Sequence, residues 1–524
     1  MVKTENPGPQ RSQDNSHIVA KNVAWMSADT FFALTLTIIT SVAIARVIGK
    51  DNVGRARLGS YQFIVWLTTI TLTMGSFGLP ATTRKYMAEY LNNGNPDIAR
   101  ATYLATLKLQ SWISLGAGAV GLIAVYWLAD PQFLTAAVLL VVAIVPRLIA
   151  TIPSQANNAS EVYRRNTIPS VIGVGVTTII TAASLVFGWD FVGLSAAVIA
   201  GSCVECCIKL WMVEQWLGRV PRGSVAPELR KRMLTYSGQE MALLMLNLVV
   251  WDRSDVMVLK AMNPDTTQIT FFSLPFSLAE RALMFPSMFA GALAFTIMAQ
   301  YGRGESRVRE MTADGGRYAL LVAVPMLVGM ACVSRPLVLL MYGKGFAPMI
   351  PTLAIIALLA IPKALITAPT SLLQTMERQG FLVWWGCLCG VVNIGLDFLL
   401  TGRHGANGAA IANGSAQAMA ALGIWFYVWR AYKLDLRLAD CGRIIVAGAI
   451  MAAGVLAIVR AIPGAVGLSV AVVGGVALWL IGLRLTAALK REDVGRVQSI
   501  GRRLPPNVQP LWKNVIAWLA PSVS

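Results

Sequence analysis

Pro146-Arg-Leu-Ile-Ala-Thr-Ile-Pro153 and Pro362-Lys-Ala-Leu-Ile-Thr-Ala-Pro369 are one phrase written twice, 216 residues apart. Pro146 pairs with Pro362, Arg147 with Lys363, Thr151 with Thr367 and Pro153 with Pro369. Each copy sets a cation in the middle of a long apolar run. A charge at the bilayer centre costs roughly 2.5–3.5 kcal/mol on an insertion scale, so a charge kept twice marks a functional position. Proline removes one helical hydrogen bond and bends the helix, which opens room and frees carbonyls for a cavity lining. The duplicated phrase therefore predicts a symmetric cavity that receives something negative.

The composition fits a chain read this way. Of 524 residues, 56% are hydrophobic and 13% charged, against about 25% charged in soluble domains. Long, continuous apolar stretches exclude alternating barrel strands, because a bilayer admits only helices or closed barrels. At roughly 20 apolar residues per span, the sequence predicts an all-α polytopic membrane protein with about fourteen transmembrane helices. The net charge of +18 does not point to nucleic acid. Its Lys and Arg crowd the N-tail, the even-numbered loops and the C-tail, which predicts both termini in the cytoplasm of a bacterial inner membrane. One loop opposes that count: residues 46–57 place Arg46, Lys50, Arg55 and Arg57 on the other side. The polar first 17 residues show no small-residue cleavage site, which predicts no removable signal peptide.

The repeat extends beyond its proline phrase. Ala196-Ala-Val-Ile-Ala-Gly-Ser202 returns as Ala409-Ala-Ile-Ala-Asn-Gly-Ser415, and Met87-Ala-Glu-Tyr90 as Met298-Ala-Gln-Tyr301. The period covers six spans, an even number, so both copies share one orientation. Transporters built from such parallel repeats bind substrate between them. The expected organisation is an N-tail (1–18), a first six-helix lobe (19–217) and a basic linker (218–235). A second, pseudo-twofold-related six-helix lobe (236–433), two extra helices (434–488) and a basic tail (489–524) follow. The linker reads as a segment held on anionic headgroups. Leu511–Leu519 reads as an interfacial helix.

Enzymatic signals are scarce. His17 and His404 have no partners for a metal or a nucleophile, and no phosphate loop with its lysine is present. Six of the seven cysteines fall within spans, and Cys441 falls in a loop. Cys203-x-x-Cys206-Cys207 reads as small core residues. Transport without bond breaking fits better than catalysis.

The intramembrane cations carry that case. Arg147, Lys363, Arg281 (between Pro275 and Pro286) and Arg253 (within Trp251-Asp-Arg-Ser-Asp255) are the candidate contacts for a phosphate or pyrophosphate, whose oxygens match the guanidinium fork. The acids bear on energy coupling. Asp29, central in the first span, is the candidate for binding a proton or sodium ion. Glu205 and Lys209, four residues apart, read as a structural pair. Asp397 lies near the outer end of span 11.

Three segments resemble polysaccharide flippases of the multidrug/oligosaccharidyl-lipid/polysaccharide exporter superfamily. They are Ala45-Arg-Val-Ile-Gly-Lys-Asp-Asn-Val-Gly54, Phe77-Gly-Leu-Pro-Ala-Thr-Thr-Arg-Lys-Tyr-Met-Ala-Glu89 and Gly193-Leu-Ser-Ala-Ala-Val-Ile-Ala200. The resemblance implies a V-shaped pair of lobes alternating between inward- and outward-open states. It also implies an oligosaccharide substrate joined through pyrophosphate to a polyprenyl lipid, with transport driven by a proton or sodium gradient and no other cofactor. Partner enzymes would be the glycosyltransferases and polymerase of a glycan pathway. Arg46 and Asp255 fall in stretches similar to the family's, which adds Arg46 to the cavity candidates and Asp255 to the ion-coupling ones. The peptidoglycan lipid-precursor flippase ranks second, because its cavity arginines would concentrate in the first spans. Multidrug exporters rank third, because they favour acidic cavities.

Overall fold

In the computed structural model, residues 9–221, 223–251, 254–263, 265–300, 305–376, 378–489, 509–510 and 518 are described. Every regular element among them is helical, and eleven helices are long and apolar enough to cross a membrane. The chain is a multi-pass membrane protein. Its backbone forms two compact units, residues 1–253 and 254–524.

The first unit contains α1 (Pro9–Ile48), α2 (Asn52–Ser76), α3 (Leu79–Asn92) and α4 (Pro96–Leu128), then α5 (Leu134–Val142) and α6 (Ile144–Ala159). It continues with α7 (Arg164–Phe187), α8 (Asp190–Leu217) and α9 (Pro227–Trp251). Much of the basic linker is thus helical, since α9 starts at Pro227. The core joins α3, α4, α6 and α8 through Leu79, Met87, Tyr103, Ile152, Val213 and Leu217. Helices α7 and α8 cross where Gly173 and Gly201 meet. A Cβ on Gly201 would lie 2.6 Å from the Gly173 carbonyl oxygen, and small residues at crossings are how packed membrane helices approach.

The second unit contains α10 (Asp255–Met262), α11 (Thr267–Gln300), α12 (Glu305–Cys332) and α13 (Ser334–Met341). Then come α14 (Met349–Leu359), α15 (Ile361–Ala364), α16 (Thr367–Thr375), α17 (Gln379–Tyr432), α18 (Leu438–Ala461) and α19 (Gly464–Leu485). The two helices outside the repeat pack on α12 through Val324, Ile444, Met451, Val455 and Trp479. Gly448 permits that approach, because a Cβ there would lie 2.5 Å from Val324 Cγ1. Buried Arg317 holds the end of this pair, donating to the Ala488 carbonyl at 2.6 Å.

The proline phrases do to the backbone what their chemistry requires. The span holding Arg147 breaks at Ala143, between α5 and α6. The span holding Lys363 breaks at Ala360, between α14 and α15. Both breaks lie two or three residues before the first proline, on the turn its ring displaces. The Lys363 span breaks again before Thr367.

Three local readings change. The runs 380–400 and 406–428 meet without a loop, at Gly405, whose φ of +52° turns the chain inside α17. His404 therefore belongs to a helix corner. Cys441 lies in the first turn of α18 rather than in a loop. The loop that opposes the charge count uses two of its cations structurally. Arg55 is buried and donates to the Gly49 and Lys50 carbonyls at 3.2 and 3.3 Å, closing the end of α1. Arg57 pairs with Asp190 and stacks 5.4 Å from the Phe191 ring centre.

Candidate functional site

Each unit contains a charged cluster beside its copy of the proline phrase. In the first unit, Lys209 on α8 is buried and donates to Glu205 at 2.6 Å, with Ser154 Oγ of α6 at 3.5 Å. The i,i+4 pair is present as its spacing required. Its field reaches two further groups. Asp29 on α1 lies within hydrogen-bonding reach of Ser170 on α7 and close enough to Lys209 and Glu205 to feel both charges. Arg147, on the exposed face of α6, feels the Glu205 carboxylate. Three helices thus bring two cations and two acids into one electrostatic neighbourhood, in which Asp29 Oδ1 is buried without a hydrogen-bond partner.

Helix α6 is fixed by an amide network that the sequence reading missed. Asn157 is fully buried, donates to Asn166 Oδ1 at 3.0 Å and accepts from Trp216 Nε1 at 3.1 Å. Asn166 in turn donates to the Ser154 carbonyl and to Asn158 Oδ1, both at 2.8 Å. These bonds hold the turn between α6 and α7 and so set the pose of the helix that carries Arg147.

The second unit holds the more unusual arrangement. Asp255, the first residue of α10, and Asp397, on α17, are both fully buried, and their carboxyl groups face each other within hydrogen-bonding reach. Asn413 donates to Asp255 Oδ2 at 2.9 Å, and Gln417 donates to Asn413 Oδ1 at 2.8 Å. Asn393, one turn before Asp397, donates to Ser254 Oγ at 3.2 Å. Asp255 Oδ1 and both Asp397 oxygens remain buried with no donor. Ionised carboxylates only accept hydrogen bonds, and two sharing a buried site cannot both stay ionised without a proton or cation between them. The site has the chemistry of a small-cation receptor: carboxylate and amide oxygens with unused lone pairs. Asp255 was expected here, and Asp397 is the partner that sequence reasoning left at a helix end.

Lys363 belongs to the same region. It lines a pocket with Glu280, Asn413 and Gln417, having room for about one water at 20 Å³. Its ammonium lies 6.0 Å from the Phe276 ring centre. The amide pair Asn413–Gln417 therefore touches the carboxylate pair at one end and the Lys363 pocket at the other. Arg281 is half-buried on α11 and, one residue from Glu280, points about 100° away from it. Arg46 sits exposed in the last turn of α1, where a cation complements the helix dipole. Arg253 and its neighbour Asp252 lie outside the described residues, as do Tyr301 and most of Leu511–Leu519. Of that last stretch Trp518 is described, with the Arg484 guanidinium 4.5 Å from its ring centre.

Residues 109–351 match a family model described as polysaccharide biosynthesis protein. No curated protein matches the chain by sequence. Among solved structures, the lipid II flippase MurJ in an inward-closed conformation is similar at 15% identity, with a TM-score of 0.63 over 88% of this chain and 98% of that one. An inward-facing multidrug MATE transporter is similar at 13% identity, with a TM-score of 0.60 over 77% of this chain and 98% of that one. A Vibrio cholerae MATE transporter follows at 14% identity, with a TM-score of 0.58 over 80% and 98%.

Proposed function

For a membrane chain with the fold of the multidrug/oligosaccharidyl-lipid/polysaccharide transporter superfamily, we propose a flippase for a polyprenyl-pyrophosphate-linked oligosaccharide. The lipid-linked sugar moves from the cytoplasmic to the outer leaflet of a bacterial inner membrane, with no bond broken. Arg147 and Lys363 contact the pyrophosphate at different stages of an alternating-access cycle, and a cation gradient drives the cycle through Asp255 and Asp397. Glycosyltransferases that build the repeat unit supply the substrate, and a polymerase consumes it.

The observation that carries this reading is the coincidence of three features in the second unit. The proline phrase breaks its helix, the break presents Lys363, and Lys363 shares Asn413 and Gln417 with the buried carboxylate pair. Cation binding at Asp255 and Asp397 reorders the amides, and the amides border the headgroup contact. The match to the polysaccharide biosynthesis model supports a glycan cargo.

The test is export of a surface glycan by the double variant Arg147→Ala, Lys363→Ala. Loss of export with normal membrane levels is expected, and full export would remove the proposal. A second reading rests on the likeness to the lipid II flippase, which covers nearly all of that structure. Rescue of a strain depleted of its lipid II flippase would favour a peptidoglycan precursor as cargo, and failure to rescue would favour a surface polymer.

A further inference from the structure

A groove of about 510 Å³ opens in the first unit where α3 and α4 meet the start of α9. Leu79, Leu109, Trp112 and Met233 form its apolar wall, while Lys108 and Arg230 are the charged residues lining it among those described. Among the described residues, neither cation lies within ion-pair distance of a carboxylate. Both are exposed. The groove is therefore positively charged, apolar-walled and within the roughly 300–1,000 Å³ of ordinary ligand sites.

What lies beyond the groove identifies the occupant. Trp112 follows Lys108 by one turn and is 67% exposed. Leu115, Leu122 and Tyr126 continue the same exposed face along α4, at the 3.5-residue spacing of one helix stripe. A cation, then an indole, then an apolar stripe is the sequence of chemistries from headgroup level into acyl chains. The polar end of this path is held in place. Arg100 donates to the Val220 carbonyl of the linker, and Arg232 pairs with Glu89 at 3.2 Å. Lys85 stacks 3.8 Å from the Tyr236 ring centre.

We propose that this groove is a binding site for one anionic phospholipid, its phosphate between Lys108 and Arg230 and an acyl chain along the α4 stripe. The lipid bridges α4 to α9, the helix that leads out of the basic linker. Such a site shares no residue with the charged clusters described above and does not depend on what the protein transports.

The experiment is native mass spectrometry of the full-length, delipidated protein in detergent, titrated with phosphatidylglycerol or phosphatidylcholine. The wild type retains one phosphatidylglycerol and discriminates against phosphatidylcholine. Neutralising both cations in Lys108→Gln, Arg230→Gln weakens phosphatidylglycerol roughly 30-fold, while the charge-conserving Lys108→Arg, Arg230→Lys retains it. Removing the same charge elsewhere, in Arg403→Gln, Arg460→Gln, leaves retention unchanged. Equal phosphatidylglycerol affinity in wild type and the Lys108→Gln, Arg230→Gln variant would overturn the proposal, as would an equal loss in Arg403→Gln, Arg460→Gln. Retention is read without transport, so its failure leaves the flippase reading standing.

Discussion

Asp397→Asn separates the carboxylate pair from the fold that holds it. Two ionised carboxylates about 4 Å apart repel by about 4 kcal/mol at an effective dielectric near 20. Each buried acceptor left without a donor costs about 1–3 kcal/mol more, and the pair leaves three such oxygens. A bound cation cancels most of both penalties. Asparagine at position 397 removes the repulsion and offers an amide donor to Asp255 Oδ1, at nearly the same volume. In sodium-free buffer near neutral pH, the variant is therefore expected to be as stable as the wild type or more so. The wild type should gain stability as its coupling ion is added, by about 2.7 kcal/mol at one hundred times the dissociation constant. The variant should gain none. The assay is thermal unfolding followed by tryptophan fluorescence, with sodium exchanged for choline at constant ionic strength and repeated across pH. A sodium response names sodium as the ion, and an acid response in choline names the proton. Either response, undiminished in Asp397→Asn, would refute the reasoning.

Three further substitutions probe the frame around the sites. Glu205→Leu removes the carboxylate that accepts from buried Lys209 at 2.6 Å and leaves the serine at 3.5 Å as its remaining partner among the bonds described. It should cost about 3–5 kcal/mol, and Glu205→Leu with Lys209→Leu should recover most of it in the same unfolding assay. Gly78 has a φ of +67° and its added Cβ would run into the Ser237 carbonyl oxygen. Gly78→Ala should therefore cost at least about 1–2 kcal/mol and raise hydrogen exchange in residues 229–237, where α9 packs on α3. Arg317→Met removes the donor to the Ala488 carbonyl, a charge-assisted bond of about 1.5–3 kcal/mol, and limited trypsin digestion at Arg484 should quicken.

The repeat explains why the fold was readable and the cation site was not. Hydrophobic length and the Arg147/Lys363 phrase are local signals, and the helix breaks fall where proline chemistry puts them. The Glu205–Lys209 pair was equally local, one helical turn apart. Asp255 and Asp397 are 142 residues apart, and their meeting depends on how α10 packs against α17, which no spacing along the chain announces. A signal was nevertheless present in the departures from symmetry. At the offset that aligns Ala196–Ser202 with Ala409–Ser415, Ala200 of the first copy becomes Asn413 and Val204 becomes Gln417. Those are the two amides that join the carboxylate pair to the Lys363 pocket. In the reverse direction, Glu205 and Lys209 become Ala418 and Leu422. Positions shared by both copies build helices and breaks, because those needs are common to both lobes. Positions that differ place a compensated ion pair in one lobe and an uncompensated acid pair in the other. Among the described residues the acid pair has no cation beside it and calls for one from outside, while Asp29, whose Oδ1 is likewise buried without a hydrogen-bond partner, stays the first lobe's candidate for the same role.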